Sequence, residues 1–144
     1  MRVRLFVDHE DAPRLNQKKV DSLVRCIVRE EEKKSEYINV ILVNDMYMLD
    51  VNRKFLNHNY RTDVISFNLG ESGPIEGEVY VSVDRAKVQA RRYKVSLERE
   101  VLRLIVHGVL HLTGWDDKTR SQKLQMRKRE NRIIEQFDVR QSKP

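Results

Sequence analysis

The chain has few of the residues and segments that build disulfide-linked or membrane-bound proteins. Its one cysteine, Cys26, excludes an intramolecular disulfide and a cysteine-rich zinc framework. No apolar run approaches the roughly 18 residues of a membrane helix. The apolar patch near the N-terminus is too short for the core of a signal peptide. We therefore expect a cytoplasmic protein without membrane contact, in which Cys26 is a small buried residue.

Glycine- and proline-rich segments are also scarce, since residues 70–77 are the one short stretch of this kind. The chain has no repeat and no low-complexity tract. Its 144 residues suffice for one hydrophobic core but not for two. We expect a single domain over residues 1–144.

Positive charge is abundant and unevenly distributed. Charged residues make up 35% of the chain, above the ordinary quarter, and the net charge is +6. Residues 118–144 hold nine basic and three acidic side chains, and residues 85–94 hold five basic and no acidic ones. Such faces attract polyanions. The composition is compatible with nucleic-acid binding and with a charged, solvated surface.

Hydrophobic periodicity predicts alternating strands and helices. Strands are expected at residues 3–7, 37–43, 62–67 and 78–83. Helices are expected at residues 13–34, 46–56, 84–93 with Asp84 as N-cap, 96–113, and from about 118 onward. The last helix should direct Leu124, Ile133, Ile134 and Phe137 into the core. This order predicts an α/β (α+β) fold, with a small, mixed, mostly parallel four-stranded sheet and about five helices.

The segment HGVLHLTGWDD contains three side chains with the spacing of a metal site. His107 and His111 lie four residues apart and therefore share one face of a helix. Gly114 can end that helix with a left-handed residue, and Asp117 follows as a third ligand. Three ligands leave one position for water, which indicates a catalytic site for one Zn²⁺ at the end of a central helix.

The spacing H-x-x-x-H-x-x-G-x-x-D is also that of metzincin proteases, with aspartate as the third ligand. In zinc proteases, the residue after the first histidine is the glutamate that serves as general base. Gly108 stands there in this chain. A metalloprotease is therefore supported by the ligand spacing alone.

Four segments together resemble the YbeY family of bacterial endoribonucleases. HGVLHLTGWDD resembles the family signature H-G-x-L-H-L-x-G-x-D-H. LNHNYRTDVISF resembles LN…YR…TDVLSF, GEVYVS resembles GDIVIS, and SLEREV resembles S-x-x-R-E-L. The motifs occur in the family's order over about 60 residues. Together, these motifs make the chain similar to members of this family.

The resemblance implies a metal-dependent endoribonuclease specific for single-stranded RNA. Its expected partners are single-stranded rRNA and the ribosomal small subunit, in maturation of the small-subunit rRNA 3′ end and in ribosome quality control. No small-molecule cofactor is implied. The family usually has histidine at the position of Asp117. A carboxylate can ligate zinc, but its negative charge lowers the Lewis acidity of the ion.

The resemblance also implies a catalytic arginine, which would be Arg61. The family's arginine lies several residues before the TDVLSF strand, whereas Arg61 directly precedes Thr62. The loop is therefore shortened. Arg61 either binds the scissile phosphate, stabilising developing charge, or is an exposed loop residue.

Three further residues have two interpretations each. Asp116 either accepts a hydrogen bond from a ligand histidine or caps the final helix. Glu100 either supports the ligands or complements the helix dipole in the first turn. Trp115 either stacks on an RNA base or packs against the helix end. The alternative function is an RNA- or ribosome-binding module with a structural metal and little catalysis.

Overall fold

The computed structural model describes residues 1–58 and 62–142 of the chain. These residues form four strands and five helices. They are β1 (Arg2–Val7), α1 (Gln17–Glu30), β2 (Ser35–Val43), α2 (Asp45–Leu56), β3 (Val64–Asn68), β4 (Ile75–Ser82), α3 (Val83–Tyr93), α4 (Leu97–Leu112) and α5 (Arg120–Ser142). None of these helices combines the length and apolar character needed to cross a membrane.

The strands form one sheet in the order β1-β2-β4-β3. β2 pairs in parallel with β1 and with β4, and β3 pairs antiparallel with β4. The parallel strands connect through helices, as parallel pairing requires. The predicted mixed, mostly parallel sheet with five helices is confirmed.

The two faces of the sheet carry separate cores because side chains alternate along each strand. Val40 and Val79 belong to the main core, which also contains the buried faces of α1, α4 and α5. Ile65, on the opposite face, packs with Met48 and Val51 of α2. Cys26 is buried, as predicted.

A side chain covers part of the outer edge of β1. The Gln17 side-chain amide donates from Nε2 to the Val3 carbonyl at 2.5 Å. Its Oε1 accepts the Leu5 N–H at 2.8 Å. The first residue of α1 therefore satisfies two backbone groups of the edge strand, as a neighbouring strand would.

Helix α4 lies against β3 and β4, and Gly108 is one point of close contact. Ser66 Oγ donates to the Gly108 carbonyl at 2.8 Å. A Cβ added at Gly108 would lie 2.4 Å from Val79 Cγ1, closer than real Cβ contacts allow. Glycine at this position therefore sets the distance between the ligand-bearing helix and the sheet.

Several helix boundaries differ from the predicted ones because other side chains cap the helices. Asn16 accepts the Lys19 N–H, so α1 begins at Gln17 rather than at Pro13. Ser82, rather than Asp84, caps α3. Thr119 Oγ1 accepts the Gln122 N–H at the start of α5. As predicted, α4 ends before Gly114, which has a φ of +109°.

The orientation of α5 confirms three of its four predicted core residues. Ile133, Ile134 and Phe137 are buried, but Leu124 is 59% exposed. Met126 is buried instead. The apolar face of α5 therefore passes through Met126, and Leu124 points away from the core.

Candidate metal centre

The three side chains predicted to bind metal converge at the C-terminal end of α4. His107 Nε2 and His111 Nε2 lie 3.0 Å apart. Asp117 Oδ2 lies 3.3 Å from His107 Nε2 and 3.4 Å from His111 Nε2. All three side chains are partly accessible to solvent. The group could hold a metal ion.

The separations can be compared with those that a bound ion requires. Donors about 2.0–2.1 Å from a tetrahedral zinc ion lie about 3.3–3.4 Å from one another. The three observed separations lie at or just below this range. Two imidazoles and one carboxylate are also ligands that zinc accepts. The residues therefore fit a single divalent transition-metal ion.

A buried carboxylate orients the first ligand. His107 Nδ1 lies 2.6 Å from Glu130 Oε2, and Glu130 is only 1% exposed. An ionised carboxylate can only accept a hydrogen bond. His107 therefore carries its proton on Nδ1, which leaves the Nε2 lone pair directed toward Asp117 and His111. This is the carboxylate–histidine arrangement that supports metal ligands in many proteins.

Glu130 belongs to a buried network of charges. Arg103 Nη1 donates to Glu130 Oε1 at 2.8 Å. The same guanidinium donates to both oxygens of Glu100, at 2.9 and 2.7 Å. Gln89 Nε2 donates to Glu100 Oε2 at 2.6 Å. Each carboxylate is satisfied by several donors, which buried charges require.

The charge state of the network follows from these contacts. Burial alone would lower the pKa of Arg103, but the hydrogen bonds and charges of Glu100 and Glu130 raise it above its ordinary value. Arg103 is therefore a permanent cation that holds both carboxylates in place through its hydrogen bonds. Glu100 acts on His107 through Arg103 and Glu130, not directly.

A backbone carbonyl orients the second ligand. His111 Nδ1 lies 2.9 Å from the Trp115 carbonyl oxygen and must donate to it. The Trp115 indole donates to Glu31 Oε1 and packs against the main core. Of its two interpretations, Trp115 therefore packs at the helix end. In this position it holds the turn that leads to Asp117.

The remaining predicted site residues have different outcomes. Asp116 is exposed and has neither of its two predicted roles. It does not orient a ligand, because His107 Nδ1 contacts Glu130 and His111 Nδ1 contacts the Trp115 carbonyl. It does not cap α5, because Thr119 does. Glu100 is buried within the charge network, so its main role is not that of an exposed dipole partner. Arg61 lies outside the described residues.

Two cavities adjoin the ligands. A cavity of about 380 Å³ is lined by His107 and Asp117, together with Arg103 of α4, residues of α3 and of the N-terminal half of α5, and Asp63, which directly precedes β3. A second cavity, of about 310 Å³, is lined by His111, His58 and the β3 residues Val64 and Ser66. Both open to solvent, so an extended ligand can cross the metal centre.

Sequence reasoning missed Glu130 and Asp63. Asp63 lines the larger cavity beside His107 and Asp117. The sequence spacing could have indicated that Glu130 is buried, since it follows the buried Met126 by four residues and precedes the buried Ile134 by four. A charged residue in phase with an apolar helix face indicates a buried ionic contact. Asp63 had no comparable signal.

Comparisons with known proteins agree with the geometry. Residues 6–138 match the family model described as Endoribonuclease YbeY. The endoribonuclease YbeY of Flavobacterium psychrophilum is 38% identical over 119 residues, 83% of this chain and 85% of that protein. The Parabacteroides distasonis protein of the same name is 31% identical over 134 residues, 93% and 94% of the two chains.

A solved structure shares the fold. The solution structure of TM1509 from Thermotoga maritima matches with a TM-score of 0.64 and 26% sequence identity. The match covers 94% of this chain and 88% of the other. The family model and these relatives span most of the sequence, and the chain therefore belongs to the YbeY family of endoribonucleases.

Proposed function

We propose that the protein is a metal-dependent endoribonuclease that cleaves single-stranded RNA. The observation that carries the proposal is the convergence of His107, His111 and Asp117, which line two open cavities. An endonuclease must accommodate a strand on both sides of the scissile bond, and the paired cavities allow this. Family membership supplies the class of reaction.

The chain's own residues have separate tasks in this proposal. His107, His111 and Asp117 would hold one divalent ion, which supplies Lewis acidity for phosphodiester hydrolysis. Glu130 and the Trp115 carbonyl hold the two imidazoles in the tautomer that presents Nε2. Gly108 stands at the position where zinc proteases have their glutamate general base, so the chain departs from the protease motif at that residue.

The finer assignments follow from the ligands and from the resemblance. Zn²⁺ is the proposed ion because it accepts two histidines and a carboxylate. The proposed substrate is precursor rRNA near the small-subunit 3′ end, on or near the ribosomal small subunit in the cytoplasm, with a role in ribosome quality control. Arg61 is proposed to bind the scissile phosphate.

The proposal is tested with zinc-loaded protein, chelator-treated protein and His111→Ala, each given single-stranded and duplex rRNA fragments. We expect cleavage of single-stranded RNA by the loaded protein and a loss of at least 100-fold in the other two samples. RNA binding without cleavage would instead indicate a binding module with a structural metal. Cleavage of casein would restore the protease interpretation.

Arg61 requires its own variant. Arg61→Ala should lower kcat by about 10²-fold, because a donor to developing charge contributes on this scale. Arg53→Ala, an arginine on α2, is the control. Zinc content should be unchanged in both variants. Undiminished cleavage by Arg61→Ala would remove the proposed role.

A further inference from the structure

We propose that the larger cavity beside the metal centre is a subsite for one nucleotide of the RNA strand. It would hold the nucleotide next to the scissile phosphate, with its phosphate on Arg120 and Lys123 and its base against Leu124 and Tyr93. This inference rests on the proposed function, because it assumes an RNA strand at the metal centre.

The position and size of the cavity support its assignment as a nucleotide subsite. Two metal-site residues, His107 and Asp117, line it directly. Its volume of about 380 Å³ lies in the range of small-molecule sites, about 300–1,000 Å³. Whatever fills the cavity therefore contacts the metal centre itself, and the space accommodates a ligand of nucleotide size.

Two cations of the cavity, Arg120 and Lys123, support the phosphate-binding part of the proposal. Arg120 and Lys123 are exposed on the first turn of α5 and line the cavity. Among the residues that the structure describes, neither has a carboxylate partner, whereas Arg103 in the same cavity is bound by two glutamates. Two unneutralised cations beside a metal-ligand carboxylate are suited to an anionic ligand such as a phosphate.

The exposed apolar side chains of the cavity support the base-binding part of the proposal. Leu124 is 59% exposed and Tyr93 is 43% exposed, and both line the cavity. The Arg127 guanidinium lies 5.1 Å from the centre of the Tyr93 ring and fixes that side of the cavity. Exposed apolar surface next to unpaired cations matches a nucleobase and its phosphate.

The smaller cavity differs in the residues that the structure describes. Its described lining consists of neutral polar and apolar side chains together with His58 and His111. The nucleotide in the larger cavity should therefore contribute its own salt-dependent affinity, through Arg120 and Lys123.

The test uses the full, zinc-loaded chain and the double variant Arg120→Ala/Lys123→Ala. The matched control is Lys128→Ala/Arg132→Ala, which removes the same charge from exposed positions of α5 outside the cavity. Cleavage kinetics are measured on a short single-stranded RNA. Affinity is measured at several salt concentrations with a labelled 2′-O-methyl oligonucleotide, whose integrity is checked on a gel.

The cavity variant should raise KM roughly tenfold at 0.1 M salt with a smaller change in kcat. Its log–log salt slope should fall by about 1.4, since each lost contact to single-stranded RNA removes about 0.7. The control variant should change KM and the salt slope less than the cavity variant does. Leu124→Ser should also raise KM, with its salt slope unchanged, because it removes apolar contact only.

The outcomes separate this inference from the proposed function. If the wild type cleaves RNA and both double variants have the same KM and salt slope, the subsite is wrong and the function stands. A fall in kcat without a change in KM would also overturn the subsite. If no sample cleaves RNA, the function fails, and oligonucleotide binding still decides whether the cavity holds a nucleotide.

Discussion

His107 Nδ1 and Glu130 Oε2 lie 2.6 Å apart, although 23 residues separate them in sequence. The contact joins α4 to α5 at the level of the metal ligands. His111 instead donates to a backbone carbonyl. The two imidazoles are therefore held by different partners, a buried carboxylate for His107 and a neutral backbone carbonyl for His111.

Replacing Glu130 with glutamine should weaken metal binding. The variant keeps the volume but removes the charge that supports His107, and we expect zinc affinity to fall about 10–100-fold. Competition with a chromogenic chelator measures the change. The visible spectrum of the Co²⁺-loaded protein reports the ligand geometry.

Glu135→Gln, an exposed position on the same helix, is the control for loss of a glutamate. It should bind zinc like the wild type. Equal affinities for the Glu130 and Glu135 variants would show that the contact does not support the metal site.

The carboxylate of Asp117 should shift metal preference toward harder ions. Carboxylate oxygen favours Mn²⁺ relative to imidazole nitrogen, so the wild type should retain Mn²⁺ better than Asp117→His does. The ratio of Mn²⁺ to Zn²⁺ dissociation constants is measured for both proteins. An unchanged ratio would contradict this expectation.

We propose Asp63, which lines the larger cavity, as the general base of the reaction. Asp117 faces the histidines and Glu130 is held by Arg103 and His107, whereas the Asp63 side chain has no partner among the described residues. Asp63→Asn should lower kcat about 10²-fold or more with zinc content unchanged, as loss of a general base does. Normal kcat across the pH profile would exclude the role.

A methyl group at Gly108 should destabilise the fold. The added Cβ would meet Val79 of the sheet at 2.4 Å, and such overpacking costs about 1–3 kcal/mol. Gly73→Ala is the control, because its nearest contact is an ordinary 3.6 Å. Urea unfolding of both variants measures the difference, and equal free energies of unfolding would refute the tight contact.

Asp84 should make stability depend on pH. Its pKa is lowered by the Asp45 backbone N–H and by His9, whose ring lies 2.9 Å away, with Lys87 contributing a smaller effect. A lowered pKa stabilises the fold above the ordinary value of about 4, and this contribution is lost as pH falls below it. The side chain is 38% exposed, so solvent screens the interaction and we expect only about 1 kcal/mol.

The variant Asp84→Asn tests this dependence. Its deficit in free energy of unfolding should shrink as the pH falls below about 4. Chemical unfolding at a series of pH values between 5 and 2 supplies the measurement. A deficit that grows below pH 4 would have the wrong sign.

Local patterns predicted most of the fold and the three ligands. His107 and His111 lie on one helix and Gly114 and Asp117 follow within six residues, so helical geometry and one turn suffice to bring them together. The supporting contact to Glu130 depends on how α5 crosses α4, which no local pattern determines. Leu124 was misplaced because the apolar face of α5 is interrupted by the buried charge of Glu130.

The contact of the Gln17 side-chain amide with β1 has a consequence away from the candidate metal centre. Exposed strand edges recruit extended segments of other chains and so promote aggregation. On β1, the Val3 carbonyl and the Leu5 N–H are already bonded, and the positive charges of Arg2 and Arg4 flank them. An incoming strand would have to displace a satisfied side chain, and this edge is thereby protected against self-association.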